Sequence, residues 1–565
     1  MRWSLKPKPN SENVTHLQQV LTVSKSIAQL LVQRNINNYE EAKHFFRPNL
    51  NQLHDPYLMK DMNLAVARII TAIETHQNIM VYGDYDVDGT TSVALMSSYL
   101  KSLYPNVTTY IPDRYAEGYG VSFKGIDFAH DNDIHLIIAL DCGIKAIDKV
   151  AYAKEKGIDF IICDHHRPGH EIPKAVAVLD PKRTDCEYPY KELCGCGVGF
   201  KLIQAIHQHL KLNFNTIIPY LDLVATAIGA DIVPITGENR TLAFYGLQII
   251  NQQPRPGFKA LIAQTKKQNL SITDVVFMIA PRINAAGRMK HGLHAVDLLS
   301  ETDYPTAVNY AKAIELYNTN RKDADKKITQ EALLQIEENK ETEQFSTVVY
   351  QPHWHKGVIG IVASRLTETY YRPTLVFTKS GNKLAASARS VIGYDVYNAL
   401  EASSQFIEQF GGHKYAAGLT LTEENYPKFK AKFEEVVKKQ IDPKLLSPVI
   451  EIDQILCFDQ IDARFYRILK QFAPFGPLNR APIFMTKNVV DTGYAKTVGA
   501  DNKHLKCHFK CLQKGIQFAG IGFNLGQKLD LLKNQTPVHI AYTLDENEWN
   551  GTVSLQLRIK DIKVG

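Results

Sequence analysis

Asp84, Asp86 and Asp88 stand at alternate positions in the run Asp84-Tyr85-Asp86-Val87-Asp88-Gly89. Carboxylates this close raise one another's pKa, so a divalent cation is their natural partner. A solvated acidic loop is the plainer alternative. Two further apolar runs also end in potential ligands: IHLIIAL runs into Asp141-Cys142-Gly143, and IDFIIC into Asp164-His165-His166. A lone Asp after a strand is more often a helix cap than a ligand. Three strands ending in Asp change the odds, because the strand ends of a parallel sheet lie along one edge and ligands bind there. Asp84, Asp86, Asp88, Asp141 and His165 then converge on one site. Asp231, at a turn in LVATAIGADIVPI, offers another carboxylate. Oxygen ligands with an imidazole suit Mn²⁺ and tolerate Mg²⁺ or Co²⁺.

The acidic run has two competing interpretations. An EF-hand calcium loop begins D-x-D-x-D-G but needs a bidentate Glu at its twelfth position, and counted from Asp84 that position is Leu95. The calcium reading fails. The stretch from Asp86 to Thr90 also fits the nucleophile motif of haloacid-dehalogenase-like phosphatases, in which Asp86 would be phosphorylated. On this segment alone that alternative stays open.

The elements that must hold these residues alternate in type. From about 78 to 235, buried β-rich runs alternate with helix-period stretches, the pattern of a parallel α/β sheet with both faces covered. Residues 296–340, rich in Ala, Leu, Glu and Lys, predict one or two long helices that connect domains. A second, smaller α/β block with a Gly411-Gly412-His413 cluster follows at 346–440, then a linker at 441–448. Short alternating strands separated by turn residues fill the remainder and predict a small closed β-barrel. The first 60 residues read as an N-terminal helical appendage.

Length and composition agree. At 565 residues the chain exceeds one core and predicts roughly three to five units. No apolar run approaches the ~18–20 residues of a spanning helix, and the start lacks the apolar core of a secretory signal, so a cytoplasmic protein without membrane partners is expected. Eight irregularly spaced cysteines point to free thiols. The net charge is only +6, but residues 451–565 hold 15 Lys/Arg against 11 Asp/Glu, or +4. The cluster His504-Leu505-Lys506-Cys507-His508-Phe509-Lys510-Cys511 tempts a zinc reading. On a strand, however, its cysteines and histidines point to opposite faces. Buried thiols beneath a basic outer face fit better. Cys194-Gly195-Cys196 likewise reads as structural.

Asp164-His165-His166, together with PDRYAEGYG (112–120), DPKR (180–183), LCGCGVGFKL (193–202), PRINAAGRM (281–289), GVIGIVASRL (357–366) and FGGHKYAAG (410–418), resembles the DHH phosphoesterase family. The resemblance covers nearly all of the chain beyond the first 40 or so residues, and it displaces the dehalogenase reading, which explains neither the His pair nor Gly411-Gly412-His413. It implies a DHH domain at 61–295 after the appendage at 1–60, connecting helices at 296–345, a DHHA1-like substrate domain at 346–445 and an oligonucleotide-binding (OB) barrel at 449–565. It implies two divalent cations, Mn²⁺ or Mg²⁺, on Asp84, Asp86, Asp88, Asp141, His165 and Asp231, with Asp141 bridging them and His166 facing the scissile phosphate. Tyr82 stands where some relatives carry a metal-binding His, and Asp84 is the expected replacement. Arg114, Tyr119, Arg282, Asn284, Arg288, Ser387, Arg389 and His413 are the candidate substrate contacts, with Ser387 and Arg389 on a terminal 5′-phosphate. The implied activity is a 5′-to-3′ exonuclease that degrades single-stranded DNA to nucleoside 5′-monophosphates in recombination and repair, beside a single-strand-binding protein and a helicase. A relative acting on short oligonucleotides or cyclic dinucleotides, or a scaffold with a decayed site, is the alternative. The C-terminal barrel argues against the first and the intact acidic residues against the second.

Overall fold

The β-rich runs of the first third form β1 (Asn78–Gly83), β2 (Val107–Tyr110), β3 (Ile134–Leu140), β4 (Asp159–Cys163) and β5 (Ala177–Leu179). All pair in parallel, in the order β2-β1-β3-β4-β5. Both faces are covered, so Ile79, Val81, Leu136, Ile138 and Ile161 are fully buried. The chain leaves β1 to one side for β2 and returns on the other for β3. The crevice outside the ends of β1 and β3 is therefore the topological switch point, where open α/β sheets bind ligands. Helices α1 (Val87–Leu103), α2 (Phe123–Asp131), α3 (Ile147–Glu155), α4 (Gly195–His209) and α5 (Leu221–Ala230) complete this part. The computed structural model describes residues 1–512, 514–549 and 551–565.

Helix α6 (Ala280–Met289) leads towards the 35-residue α7 (Tyr304–Glu338). Ala307, Ala311, Ile314, Ile328, Ala332 and Ile336 form a buried stripe along α7, which packs against α6 and α8 (Ile359–Tyr370). A second sheet holds β6 (Thr347–Tyr350), β7 (Thr374–Ser380), β8 (Lys383–Arg389), β9 (Gln409–His413) and β10 (Ala416–Leu421), in the order β9-β10-β8-β7-β6. Both sheets belong to one compact unit, Asp55–Asp231 with Gly246–Pro448.

The other unit comprises Met1–His54, Ile232–Tyr245 and Val449–Gly565. Its sheet contains β11 (Gln454–Ile455), β12 (Phe484–Asp491), β13 (Lys496–Val498), β14 (His504–Cys511), β15 (Gln517–Gly522), β16 (Val538–Trp549) and β17 (Thr552–Val564). The run β12-β16-β17-β15-β14 closes on itself through Val489↔Cys511, Val490↔Lys510 and Asp491↔Phe509, giving a five-stranded barrel. Along β14, Leu505, Cys507 and Phe509 are buried while Lys506 and Lys510 are exposed, as period two requires. Gln513, at the end of the predicted segment, lies outside the described residues.

One expectation is corrected. The N-terminal residues are not an appendage, because Val14, Leu17, Ile27, Leu30 and Leu31 share a core with Phe472, Phe484, Leu505, Phe509, Ile540 and Leu557 of the barrel unit. The strand Arg2–Leu5 pairs in parallel with Val449–Ile452, and Trp3 Nε1 donates to Asp561 at 2.9 Å. An amphipathic helix shows the same 3.6-residue period whatever it packs against, so its partner was invisible in the pattern. Arg240 fastens the segment Ile232–Tyr245 into the same unit. Its guanidinium lies 3.8 Å from the Phe45 ring centroid and donates to the carbonyls of Phe45, Gln471, Phe472 and Ala473 at 2.8–3.1 Å. Truncating Leu17 to Ala should therefore destabilise the barrel by about 2–5 kcal/mol. Hydrogen exchange in β16 should speed up accordingly.

Candidate active site

The ends of β1, β3 and β4 place their acidic residues side by side. Asp84 follows β1 fully buried, and Asp86 caps α1 by accepting the Gly89 N–H at 3.0 Å. Asp88, in the first turn of α1, accepts the N–H groups of Gly195 and Cys196 at 2.7 Å each. These are the first amides of α4, whose positive end favours a carboxylate. Gly195 is required there, because a Cβ would lie 2.6 Å from Asp141 Cβ. Asp141 turns off β3 in a left-handed conformation, φ 59°, and Asp231 caps the C-terminus of α5.

His165 sits among them. Its Nε2 is 3.1 Å from Asp141 Oδ1, 3.6 Å from Asp231 Oδ2 and 3.7 Å from Asp88 Oδ2. Burial and the neighbouring His166 push its pKa down to about 3, so it is a neutral imidazole able to ligate. Burial and mutual repulsion push Asp88 up to about 7, Asp231 to about 8, and Asp84 and Asp141 well above the carboxylate range. Both oxygens of Asp84, Asp141 Oδ1 and both ring nitrogens of His165 are buried without a well-formed hydrogen bond. Buried polar atoms rarely go unpaired, and those that do mark a missing ion or water. The donor set, carboxylates with one neutral imidazole, fits a divalent cation; Asp86, whose Oδ1 caps a helix, belongs to the same cluster and repels Asp84, Asp88, Asp141 and Asp231.

Asp164, which was not among the expected site residues, fixes His166. Full burial would raise the Asp164 pKa, but bonds from His166 Nδ1 at 2.7 Å and from the amides of Ile144, His165 and His166 hold it down to about 2. Burial opposes charge on His166 as well, yet Asp164, with Asp231 and Asp88, raises it to about 9. The Asp164 bond thus favours a proton on His166 and occupies Nδ1. Nε2 faces the Tyr119 hydroxyl at 3.2 Å. The signal in the sequence was an Asp two positions before a His, which suits an Nδ1 bond. His166, Tyr119 and the exposed His413 line one cavity of about 270 Å³ with Lys145 and Arg167. Tyr82, where a His ligand was missing, is a fully buried core residue. Its hydroxyl donates to Gly120 O at 2.9 Å and accepts the Ser122 N–H at 3.1 Å, so it positions the loop that carries Tyr119.

Arginines gather beside the acidic cluster. Arg114 lies 3.8 Å from the Tyr85 ring centroid and donates to Gly287 O at 3.1 Å. Arg288 donates to Gly357 O at 2.9 Å. Burial and then the charges of Arg114, Arg389 and Arg321 lower its pKa to about 10. Arg389 Nη1 donates to Ser387 Oγ at 3.0 Å, and both side chains face Gly360 in the first turn of α8. Among the described residues no carboxylate forms an ion pair with Arg114, Arg288 or Arg389. An anion at this spot would meet three guanidinium groups that form no ion pair among the described residues, and a helix N-terminus. Asn284 lies one turn from Arg288 with Oδ1 buried and unpartnered. Arg282 departs from its expected role, because its guanidinium is committed to Glu315, at 2.5 and 3.3 Å, and to Met278 O. Arg321, which the sequence did not single out, joins the arginine cluster from α7.

Family models match in the same order as the folded parts: the DHH family N-terminal domain over residues 78–228, the DHHA1 domain over 343–439 and the RecJ OB domain over 452–561. The chain is 35% identical over 568 residues to the single-stranded-DNA-specific exonuclease RecJ of Bacillus subtilis, covering 100% of this chain and 71% of that protein. The chain belongs to the RecJ family. The Escherichia coli RecJ is 33% identical over 522 residues, 88% of this chain and 89% of its own. Among solved structures, RecJ of Thermus thermophilus in complex with Mn²⁺ superposes with a TM-score of 0.85 at 27% identity, over 100% of this chain and 80% of that one. The same RecJ with Mg²⁺ gives 0.79 at 26%, over 100% and 78%. The RecJ fold therefore extends over all three matched domains.

Two outcomes test the site. Asp164→Asn should lower kcat by about 10²-fold or more while Mn²⁺ binding persists, because the proton on His166 loses its support. In cation-free protein, Asp88 and Asp231 hold folded-state pKa values of about 7 and 8, above the usual carboxylate range. Their burial then costs nothing at acid pH, and stability falls as pH rises from ~4 towards 8. Thermal melts should show this decline without cations and a smaller one with saturating Mn²⁺.

Proposed function

We propose that this protein is a metal-dependent exonuclease that hydrolyses single-stranded DNA from the 5′ end and releases nucleoside 5′-monophosphates, in the cytoplasm, during recombination and repair. The observation that carries this reading is the juxtaposition just described: buried carboxylate and imidazole atoms without a well-formed hydrogen bond, beside three arginines that form no ion pair among the described residues. A cation pair held by Asp84, Asp86, Asp88, Asp141, His165 and Asp231 would supply a nucleophile at neutral pH and neutralise the leaving oxygen. The RecJ proteins crystallised with Mn²⁺ and Mg²⁺ support that choice of ions.

The remaining work belongs to side chains. His166, as an imidazolium, donates through Nε2 to a non-bridging oxygen of the scissile phosphate, where negative charge builds up. Tyr119, bonded to His166, and His413, across the same cavity, flank that phosphate. Arg114, Arg288, Arg389, Ser387 and the first turn of α8 hold the terminal phosphate. Such a pocket selects a strand end rather than an internal bond. Asn284 adds an acceptor on the same side as Arg288. The partner is a single strand with a free 5′ end, delivered by a helicase and a single-strand-binding protein. No described helix is long and apolar enough to cross a membrane.

Strands labelled at either end, digested with Mn²⁺ or Mg²⁺ present, should lose the 5′ label first as monophosphate. Initial loss of the 3′ label, or a preference for duplex, would overturn the reading. Asp141→Ala should abolish hydrolysis while strand binding survives. Arg389→Ala should raise KM for 5′-phosphorylated strands by about tenfold or more, and less for 5′-hydroxyl strands.

A further inference from the structure

Between β2 and α2 the turn at residues 113–120 reaches the site at two separate places. Arg114 and Tyr115 leave it towards the arginine cluster. Arg114 Nε donates to Gly287 O at 3.1 Å, and the Tyr115 hydroxyl donates to Arg288 O at 2.5 Å, both acceptors lying on α6. Tyr119 leaves the same turn towards the acidic cluster, where its hydroxyl faces His166 Nε2 at 3.2 Å. Tyr85, between Asp84 and Asp86, touches both arms. Its ring centroid lies 3.8 Å from the Arg114 guanidinium and 6.0 Å from that of the Tyr119 ring, which it meets edge-on.

Ordering such a surface turn costs backbone entropy, which specific bonds must offset. Half-buried Glu117 supplies them. One carboxylate oxygen accepts the Asp113 N–H at 2.9 Å, and the other accepts the Tyr110 hydroxyl at 2.9 Å and the Ser122 hydroxyl at 2.5 Å. Bonds to a charged acceptor are the strong ones. Both hydroxyls are themselves fixed: the Tyr110 ring stacks on buried Tyr82 at 5.3 Å, and Ser122 Oγ accepts the Gly125 N–H at the start of α2. Asp113 completes the fastening by accepting the N–H groups of Tyr115 and Ala116 at 2.8 and 2.7 Å. Gly118 and Gly120, at φ 87° and 81°, let the chain double back between Glu117 and Ser122. With the carboxylate in place, Arg114 and Tyr119 are two arms of one rigid piece.

We propose that Glu117 is a positioning residue that couples recognition of the terminal 5′-phosphate to cleavage. A phosphate that fixes Arg114 fixes the whole turn, and Tyr119 then holds His166 against the scissile phosphate. The inference rests on the exonuclease reading and adds to it a route by which the strand end raises turnover and not affinity alone. Arg288 on α6 and Arg389 on β8 grip the same phosphate from elements outside the turn, so they contribute affinity without this link.

The test compares kcat at saturation for strands of one sequence bearing either a 5′-phosphate or a 5′-hydroxyl, with the full chain and Mn²⁺. The wild-type ratio should be about tenfold or more, because small misplacements of reacting groups cost that much. In E117A the ratio should fall to unity, while KM still favours the phosphorylated strand. E117Q, whose amide nitrogen cannot accept the Asp113 N–H, and Y110F, which lacks one donor, should give intermediate ratios. Each ratio compares two substrates on one protein sample, so partial unfolding of a variant cancels. A wild-type ratio of unity, or an E117A variant that loses turnover equally on both strands, would overturn the proposal. If E117A is inactive, wild-type ratios in both E117Q and Y110F would overturn it too. A wild-type chain that degrades neither strand defeats the exonuclease reading, whereas degradation of both with equal kcat defeats the coupling alone.

Discussion

Carboxylates crowded at the ends of parallel strands repel one another, and nearly everything around this site follows from that repulsion. The sheet order brings the ends of β1 and β3 together at a switch point, and α1, α4 and α5 close around it. Without a cation, burial and repulsion favour protonation of Asp84, Asp88, Asp141 and Asp231. With one, the same burial that penalises charge strengthens every attraction to the ion. The first amides of α4 aim Asp88 without a side chain of their own, and the absent Cβ of Gly195 lets that backbone meet Asp141.

A second charge arrangement sets the polarity of the cleft. Asp164 favours a proton on His166, and Arg114, Arg288 and Arg389 concentrate positive charge beside Asp86. Acidic and basic groups thus stand near one another, and over the whole chain such charges nearly cancel to a net +6. Overall charge is a poor guide to nucleic-acid binding when one substrate needs both metal-binding anions and phosphate-binding cations.

Much of this was legible in the residues. Strand ends were readable because apolar runs stop abruptly at Asp84, Asp141 and Asp164, and the barrel because its strands alternate cleanly. What escaped is instructive. Asp164 was passed over because a buried acid that hydrogen-bonds a neighbouring His looks, in sequence, like any strand-end cap. Arg282 looked like Arg288, since both are arginines in one motif; only the fold shows Glu315 ion-paired with the first and, among the described residues, no carboxylate ion-paired with the second. Arg321 sits in a long charged helix where nothing local separates a buried cation from a solvated one. The amides of Gly195 and Cys196 carry no side-chain signature at all.

The parallel pairing of Arg2–Leu5 with Val449–Ile452 has a consequence for synthesis. Trp3 and Asp561, hydrogen-bonded in the finished molecule, are 558 residues apart in the chain. The N-terminal helices are made before the barrel strands, so Val14, Leu17 and Leu30 lack their core partners until those strands follow. Between these two events, nearly the whole nuclease unit is made and can fold as an independent insertion. A chain interrupted before the barrel strands would leave the apolar faces of the N-terminal helices without the residues that bury them.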